Sequence, residues 1–382
     1  MGRFSRFFPV LLLVSSFAVS GQNNASPQPG TTGPSTAPPG GTDRQITLDA
    51  EVTDKSGAAV RGLQKQDFAL LDHKQPKDIL SFQAVDSAAS QASDPPVKLV
   101  VVIDAVNVDR ETVAAQRLEL KKFLLRNGGK LAMPTSLVIF TETGTRVQNG
   151  ATRDGNALAA LFDKFEIALP SDENRRRSEG LAGDLERFTK SMQTLTTLVA
   201  SEATRPGRKL VIWFSAGWPW LSRPDADPSN KDKQRFFDAI VSTSAALRQA
   251  RVTLYSIDSR GTSSSVTPGF GSRRYSIDTQ ATSSTGTFSY KGFLKGVTDT
   301  KHALPGNLGL QVLAEQSGGR VVNSNNDLAG AIADCIKDAD AYYVLSFDAA
   351  RAGQANEYHD LGVTVGAPEA TVRTRTGYYA QP

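Results

Sequence analysis

Asp104 is the residue best placed to do chemistry in this 382-residue chain. It closes an apolar, β-branched run at residues 98–103, and a helical pattern begins near Glu111. Such a run reads as a buried parallel strand. A carboxylate at the C-terminal end of a central strand lies where open α/β sheets bind ligands. Asn107 and Asp109 follow at once and could add oxygens if the loop bends toward Asp104. Ser215, Trp218 and Trp220 follow a second apolar run, residues 209–214, and should reach the same edge of the sheet. Two chemistries are within reach of this set. One is a hard divalent cation, Mg²⁺ or Mn²⁺, held at Asp104. The other is recognition of a partner through tryptophans, which give a large contact area at low entropic cost. A structural role competes with each: Asp104 capping the next helix or holding its loop through backbone N–H groups, and the tryptophans packing the loops down.

Other chemistries have less behind them. The three histidines, His73, His302 and His359, fall in separate segments, and none has the spacing of a metal motif. No G-x-S-x-G or H-E-x-x-H sequence occurs. Gly128-Gly129 and Gly318-Gly319 lie where helical patterns end, the place of C-caps rather than phosphate cradles. The single cysteine, Cys335, excludes an intramolecular disulfide, and its helical pattern places it on an apolar face as a small buried residue. A hydrolase in the Asp104 crevice is therefore an alternative without a motif.

The elements that must position Asp104 alternate in type. Strands are expected at residues 98–103, 136–141, 209–214, 252–257 and 320–322, with an antiparallel edge at 145–149. Helices are expected at 111–127, 156–167, 180–204, 231–249, 308–316 and 328–340. The first helix carries Leu118, Leu120, Phe123, Leu124 and Leu125 as its apolar face. The alternation predicts an α/β fold with a doubly wound, mostly parallel sheet. Two connections are long, residues 215–230 and 259–305, and both should leave the edge that carries Asp104. Loops of that length in a compact domain are usually functional or disordered.

On either side of this domain, 97–340, the pattern changes. Residues 1–20 read as a secretory signal, with Arg3 and Arg6 before a short apolar stretch and a small-x-small cleavage site at Ala18-Val19-Ser20. Residues 21–43 are rich in Gly, Pro, Ser and Thr and read as a disordered linker. Residues 44–86 form an N-terminal β module in which Ile46, Leu48, Ala50 and Val52 alternate with polar residues. Residues 87–97 make a polar, proline-containing linker. At about 40 residues the module is too small for its own core, and the C-terminal strands in 341–382 could complete it as a β-sandwich-like unit. Those strands are expected at 342–347, 358–365 and 371–379. Loss of Arg3 and Arg6 with the leader lowers the formal net charge of +4 to about +2, which gives little reason to expect nucleic acid. Arg175-Arg176-Arg177 reads as solvated helix surface.

Four places carry a family resemblance. They are Val52-Thr53-Asp54-Lys55-Ser56-Gly57 with Gly62-Leu63 and Asp67-Phe68; Ile103-Asp104-Ala105-Val106-Asn107; Trp213-Phe214-Ser215-Ala216-Gly217-Trp218-Pro219; and Thr374-Arg375-Thr376-Gly377-Tyr378-Tyr379. In order and spacing the chain resembles the VWFA-related acidobacterial domain family of exported bacterial proteins. The resemblance implies a von Willebrand factor A-like α/β domain with β segments before and after it, and it supplies no reaction. Such domains hold a cation through D-x-S-x-S, a threonine from a second loop and an aspartate from a third. Here Val106 and Val108 replace the two hydroxyls, no G-G-T sequence lies between Ile167 and Gly207, and Ala216 stands in the third loop. The implied adhesion site is degenerate.

These readings converge on an exported, non-catalytic binding or adhesion-type protein, periplasmic or extracellular. No cofactor is expected. The partner would be a protein or a cell-envelope component, with no nucleic acid and no transmembrane anchor after signal removal. The alternative is a cation-dependent adhesion domain that keeps Mg²⁺ or Mn²⁺ at Asp104.

Overall fold

A computed structural model describes residues 44–87, 97–148, 150–164, 173–215, 217–219, 228–259, 281–283, 286–288, 290–323, 327–367 and 369–382. Residues 173–181, 281–283 and 286–288 are described by backbone alone. The expected signal and disordered linker, most of the 87–97 linker, Ala216, Trp220, the Arg175–177 side chains and much of the 259–305 connection lie outside the described residues.

The chain begins with β1 (Gln45–Thr53), whose Ile46, Leu48, Ala50 and Val52 point inward and are buried. Asp54 then closes a turn by accepting from the backbone N–H groups of Ser56 and Ala58, and Gly57 supplies the positive φ that the turn requires. Next come β2 (Phe68–Asp72), β3 (Gln75–Lys77) and β4 (Ser81–Asp86). Just before β4, Ile79 is buried and Leu80 is exposed.

The α/β body follows as β5 (Lys98–Asp104), α1 (Arg110–Leu125), β6 (Lys130–Thr141), β7 (Gly144–Val147), β8 (Thr152–Asp154) and α2 (Gly155–Lys164). It continues through α3 (Glu173–Ala203), β9 (Lys209–Phe214), α4 (Asn230–Gln249) and β10 (Val252–Ile257). A small hairpin, β11 (Ala281–Ser283) with β12 (Gly286–Phe288), precedes α5 (Leu310–Gln316), β13 (Val321–Val322) and α6 (Leu328–Ile336). The sheet order is β13-β10-β9-β5-β6-β7, parallel except that β7 and β8 run antiparallel to β6. The order reverses between β5 and β9, so the two strands flank a switch point.

Both faces of this sheet are covered, as its unbroken apolar strands require. In β5, Leu99, Val101 and Ile103 enter a core shared with α1, α2 and α6, while Val100 and Val102 enter a second core under α3, α4 and α5. The inward face of α1 is Val113, Gln116, Leu120, Phe123 and Leu124. Leu118 and Leu125, expected on that face, are exposed. The helix also stops at Leu125 rather than Asn127, because Asn127 and Gly128 take positive φ and turn the chain into β6. Cys335 is buried on α6, where loss of hydration pushes its thiol up to about 12.

The tail returns as β14 (Ala341–Asp348), β15 (Glu357–Val365), β16 (Thr371–Arg373) and β17 (Gly377–Ala380). Strands from the two ends pair directly, in sheets ordered β16-β1-β14-β4 and β17-β15-β2-β3. The sheets share one core built from Leu48, Phe68, Leu70, Leu345, Phe347 and Tyr378 among others. The strand expected at 371–379 is broken: β16 joins one sheet and β17 the other, with Thr376 donating to the Gln316 carbonyl at the crossing. The molecule is thus mixed α/β, with a mostly parallel sheet and two antiparallel ones. Among the described residues no helix is long and apolar enough to cross a membrane.

Candidate functional site: a sealed carboxylate at the strand edge

Asp104 ends β5 beside the switch point and is fully buried. Its Oδ1 accepts from the backbone N–H groups of Val106 and Asn107, each at 2.9 Å. Its Oδ2 accepts from Asn107 Nδ2 at 2.8 Å and from Trp213 Nε1 at 2.9 Å. Burial pushes the carboxyl above the ordinary carboxylate range, and the four N–H donors pull against that rise. Its role is to hold the loop. The cap of α1 belongs to Asp109, which is exposed and accepts from Thr112 N–H at 2.7 Å.

The neighbours explain why this loop is so closed. Val106 packs into the core under α3 and α4, and Val108 into the opposite core with α1. Asn107 bridges outward, its Nδ2 also donating to Ser191 Oγ of α3 at 3.0 Å. Ser191 is the hydroxyl that sequence reasoning missed, since it sits inside a helix with no motif around it. Gln116 of α1 donates to Ser259 Oγ, beyond β10, at 2.7 Å. Asn107 Oδ1 and Gln116 Oε1 are buried acceptors without a hydrogen-bond donor among the described residues.

Trp213 reaches Asp104 because β9 pairs in parallel with β5, placing Val102 opposite Trp213. Past the strand, Ser215 is buried and exchanges hydrogen bonds with Gly217, whose φ of +106° turns the chain back. That turn lays Trp218 edge-on against Trp213, with ring centroids 5.2 Å apart. Trp218 is only 1% exposed, and its Nε1 has no acceptor among the described residues. The expected aromatic contact residue at this position is therefore a core residue. Of the expected set, Asp104 and Asn107 come together, Ser215 and Trp218 roof the same region, Asp109 serves α1, and Trp220 lies outside the described residues.

The donor set does not fit a hard cation. A carboxylate offers about four lone-pair positions, and all four on Asp104 face N–H groups. Valines 106 and 108 offer hydrocarbon, and Mg²⁺ needs about six oxygens in near-octahedral array. Among the described residues no cluster of three or more His, Cys, Asp or Glu side chains could hold a metal.

The histidines are placed elsewhere, though not apart. His359 on β15 is buried against Asp72 of β2 at 2.7 Å, and Tyr378 of β17 donates to the same carboxylate at 2.8 Å. The His73 ring lies 5.4 Å from that of His359. His302 pairs with Asp299 on the surface. The strand pairings bring His73 and His359 together across nearly the whole chain, which no local spacing could reveal.

No family model matches this sequence, and no curated protein matches it. Fold and site together define a class: a mixed α/β protein whose strand-edge carboxylate is built into the framework.

Proposed function

We propose that the chain is an exported, non-catalytic binding protein with a von Willebrand factor A-like domain in which the adhesion-type metal site has become structural. The observation that carries this reading is the filling of all four acceptor positions of Asp104 by N–H donors. A carboxylate so engaged has no position left for a cation or for a partner's bridging carboxylate. Recognition then falls to the two long connections that leave β9 and β10 at the same edge. Export rests on the pattern of residues 1–20, and the partner class, a protein or envelope component, on the aromatics of those connections other than the buried Trp218 and Tyr290, such as Trp220, Phe270 and Tyr275.

The test is calorimetric titration of Mg²⁺ and Mn²⁺ into EDTA-treated protein, with Asp104→Asn alongside. The expected result is no saturable heat at millimolar metal in either protein. Saturable heat in the wild type that disappears in Asp104→Asn would overturn the reading and make cation-dependent adhesion the function.

A further inference from the structure

The unusual charge in this molecule lies at the opposite edge of the parallel sheet, where the body meets the antiparallel sheets. An open pocket there is lined by Arg248 at the end of α4, Arg251 in the following turn, Arg375 between β16 and β17, and Asp49 of β1. Asp49 is the single carboxylate in the lining. It is already engaged, accepting from Arg251 Nη2 at 2.5 Å with Arg208 at 3.9 Å. Arg248 makes no ion pair among the described residues, and Arg375 makes one long hydrogen bond, from Nη2 to the Val252 carbonyl at 3.4 Å. Arg375 is nonetheless buried.

Two guanidiniums thus share a recess whose single lining carboxylate, Asp49, acts on Arg375 but is already paired with Arg251. Desolvation lowers both, and Arg375 is held down at about 10 by burial and then by Arg248 beside it. The carbonyls at the end of α4 offset part of the charge, but Lys209 Nζ already donates to one of them, that of Ala250. The surplus is close to two positive charges. The recess, about 20 Å³, admits little more than one water-sized group. That suits one oxygen of a compact tetrahedral ion, the rest of which would stand outside it.

We propose that this pocket is an anion site that takes a compact divalent oxyanion, of phosphate or sulfate type, between Arg248 and Arg375. Guanidiniums favour such oxyanions through paired, charge-assisted hydrogen bonds. The oxyanion could be a free ion or the phosphomonoester end of a larger ligand. The site is independent of the Asp104 reading, because it lies at the other edge of the sheet.

The experiment is thermal unfolding and calorimetry of the full chain with inorganic phosphate, sulfate, glycerol 3-phosphate and chloride at matched ionic strength. Phosphate or sulfate should raise Tm saturably beyond chloride, as any ligand of the native state does. Arg248→Gln, a half-buried position, should weaken phosphate binding at least tenfold while leaving Tm without added anion unchanged or higher. Glycerol 3-phosphate matching phosphate would support the site and point to an ester ligand; much weaker binding would support it and point to the free ion. A rise no larger than that with chloride, or one retained in Arg248→Gln, would overturn the proposal.

Discussion

At the carboxyl edge of the parallel sheet the buried carboxylate of Asp104 meets four N–H donors. At the amino edge Arg208 is fully buried, paired with Glu51 and stacked over the Tyr342 ring at 4.7 Å. Lys98 and Arg205 share Glu202 there, and Asp338 collects Tyr255, Arg320 and Arg373. Open α/β sheets offer their carboxyl edge to ligands. In this chain the central charge of that edge, Asp104, is matched by dipoles fixed in the framework, which leave that carboxylate no acceptor position for a ligand to fill. The amino edge is bound together by full charges drawn from the body and from both chain ends. Those charges do not cancel everywhere, so the same edge both joins the antiparallel sheets to the body and retains capacity for a ligand.

The largest effect should come from the amino edge. Asp338→Ala strands the buried Tyr255 hydroxyl and takes a carboxylate from half-buried Arg373, which keeps only the Gly318 carbonyl and a distant Glu51. Removing one member of a buried charged network costs about 3–5 kcal/mol. Urea unfolding should show a lower midpoint with an unchanged slope. A loss under about 1 kcal/mol, the scale of exposed ion pairs, would mean that the seam holds by apolar packing alone.

The carboxyl edge should respond less. Asp104→Asn keeps the shape but turns an N–H₂ group toward donors, stranding some of Val106 N–H, Asn107 and Trp213. Each stranded buried group costs about 1–3 kcal/mol, and the midpoint in urea should fall accordingly. Millimolar Mg²⁺ should shift neither variant nor wild type. If Asp104→Asn were as stable as wild type, the carboxylate would not be the keystone of its loop, and the contrast between the edges would collapse.

How far this contrast was readable beforehand differs from residue to residue. The strands at 209–214 and 252–257 were legible to the residue, because a sheet covered on both faces needs unbroken apolar runs. Asp104 was legible by its place at the end of such a run. Trp213 was not, since within an apolar strand an indole reads as core, and its N–H matters only through the register that sets it opposite Val102. Trp218 was open to either reading, because a loop tryptophan has the same sequence whether it packs or projects; the Gly217 turn decides it. On α1 the apolar pattern located Leu120, Phe123 and Leu124 on the inner face, but Leu118 and Leu125 face outward and the polar Gln116 takes an inward place. The amino-edge charges were invisible for a stronger reason. Glu51 and Arg208 are 157 residues apart in the chain, and only the completed sheets bring them together.

The smallest effect, and the one that separates the two edges by sign of charge, is a pH dependence at Lys209. Burial, with Arg251, Lys98 and Arg205 nearby, lowers its ammonium from 10.5 to about 8, and Glu202 opposes the fall. Between those values the unfolded chain binds more protons at this group than the folded one, so its contribution to stability rises with pH. Below pH 8 both states are protonated and the contribution is flat. The gain stays modest because the ammonium donates to the Arg205 and Ala250 carbonyls, and deprotonation forfeits part of those bonds. Other groups titrate in the same range with the opposite sign, notably Cys335, which is raised. The measurement is therefore a difference, wild type minus Lys209→Met, in unfolding free energy from pH 7 to 10.5. That difference should be level to pH 8 and climb thereafter; a flat or falling curve would mean that the amino edge holds this charge without strain and that its surplus lies only with the arginines.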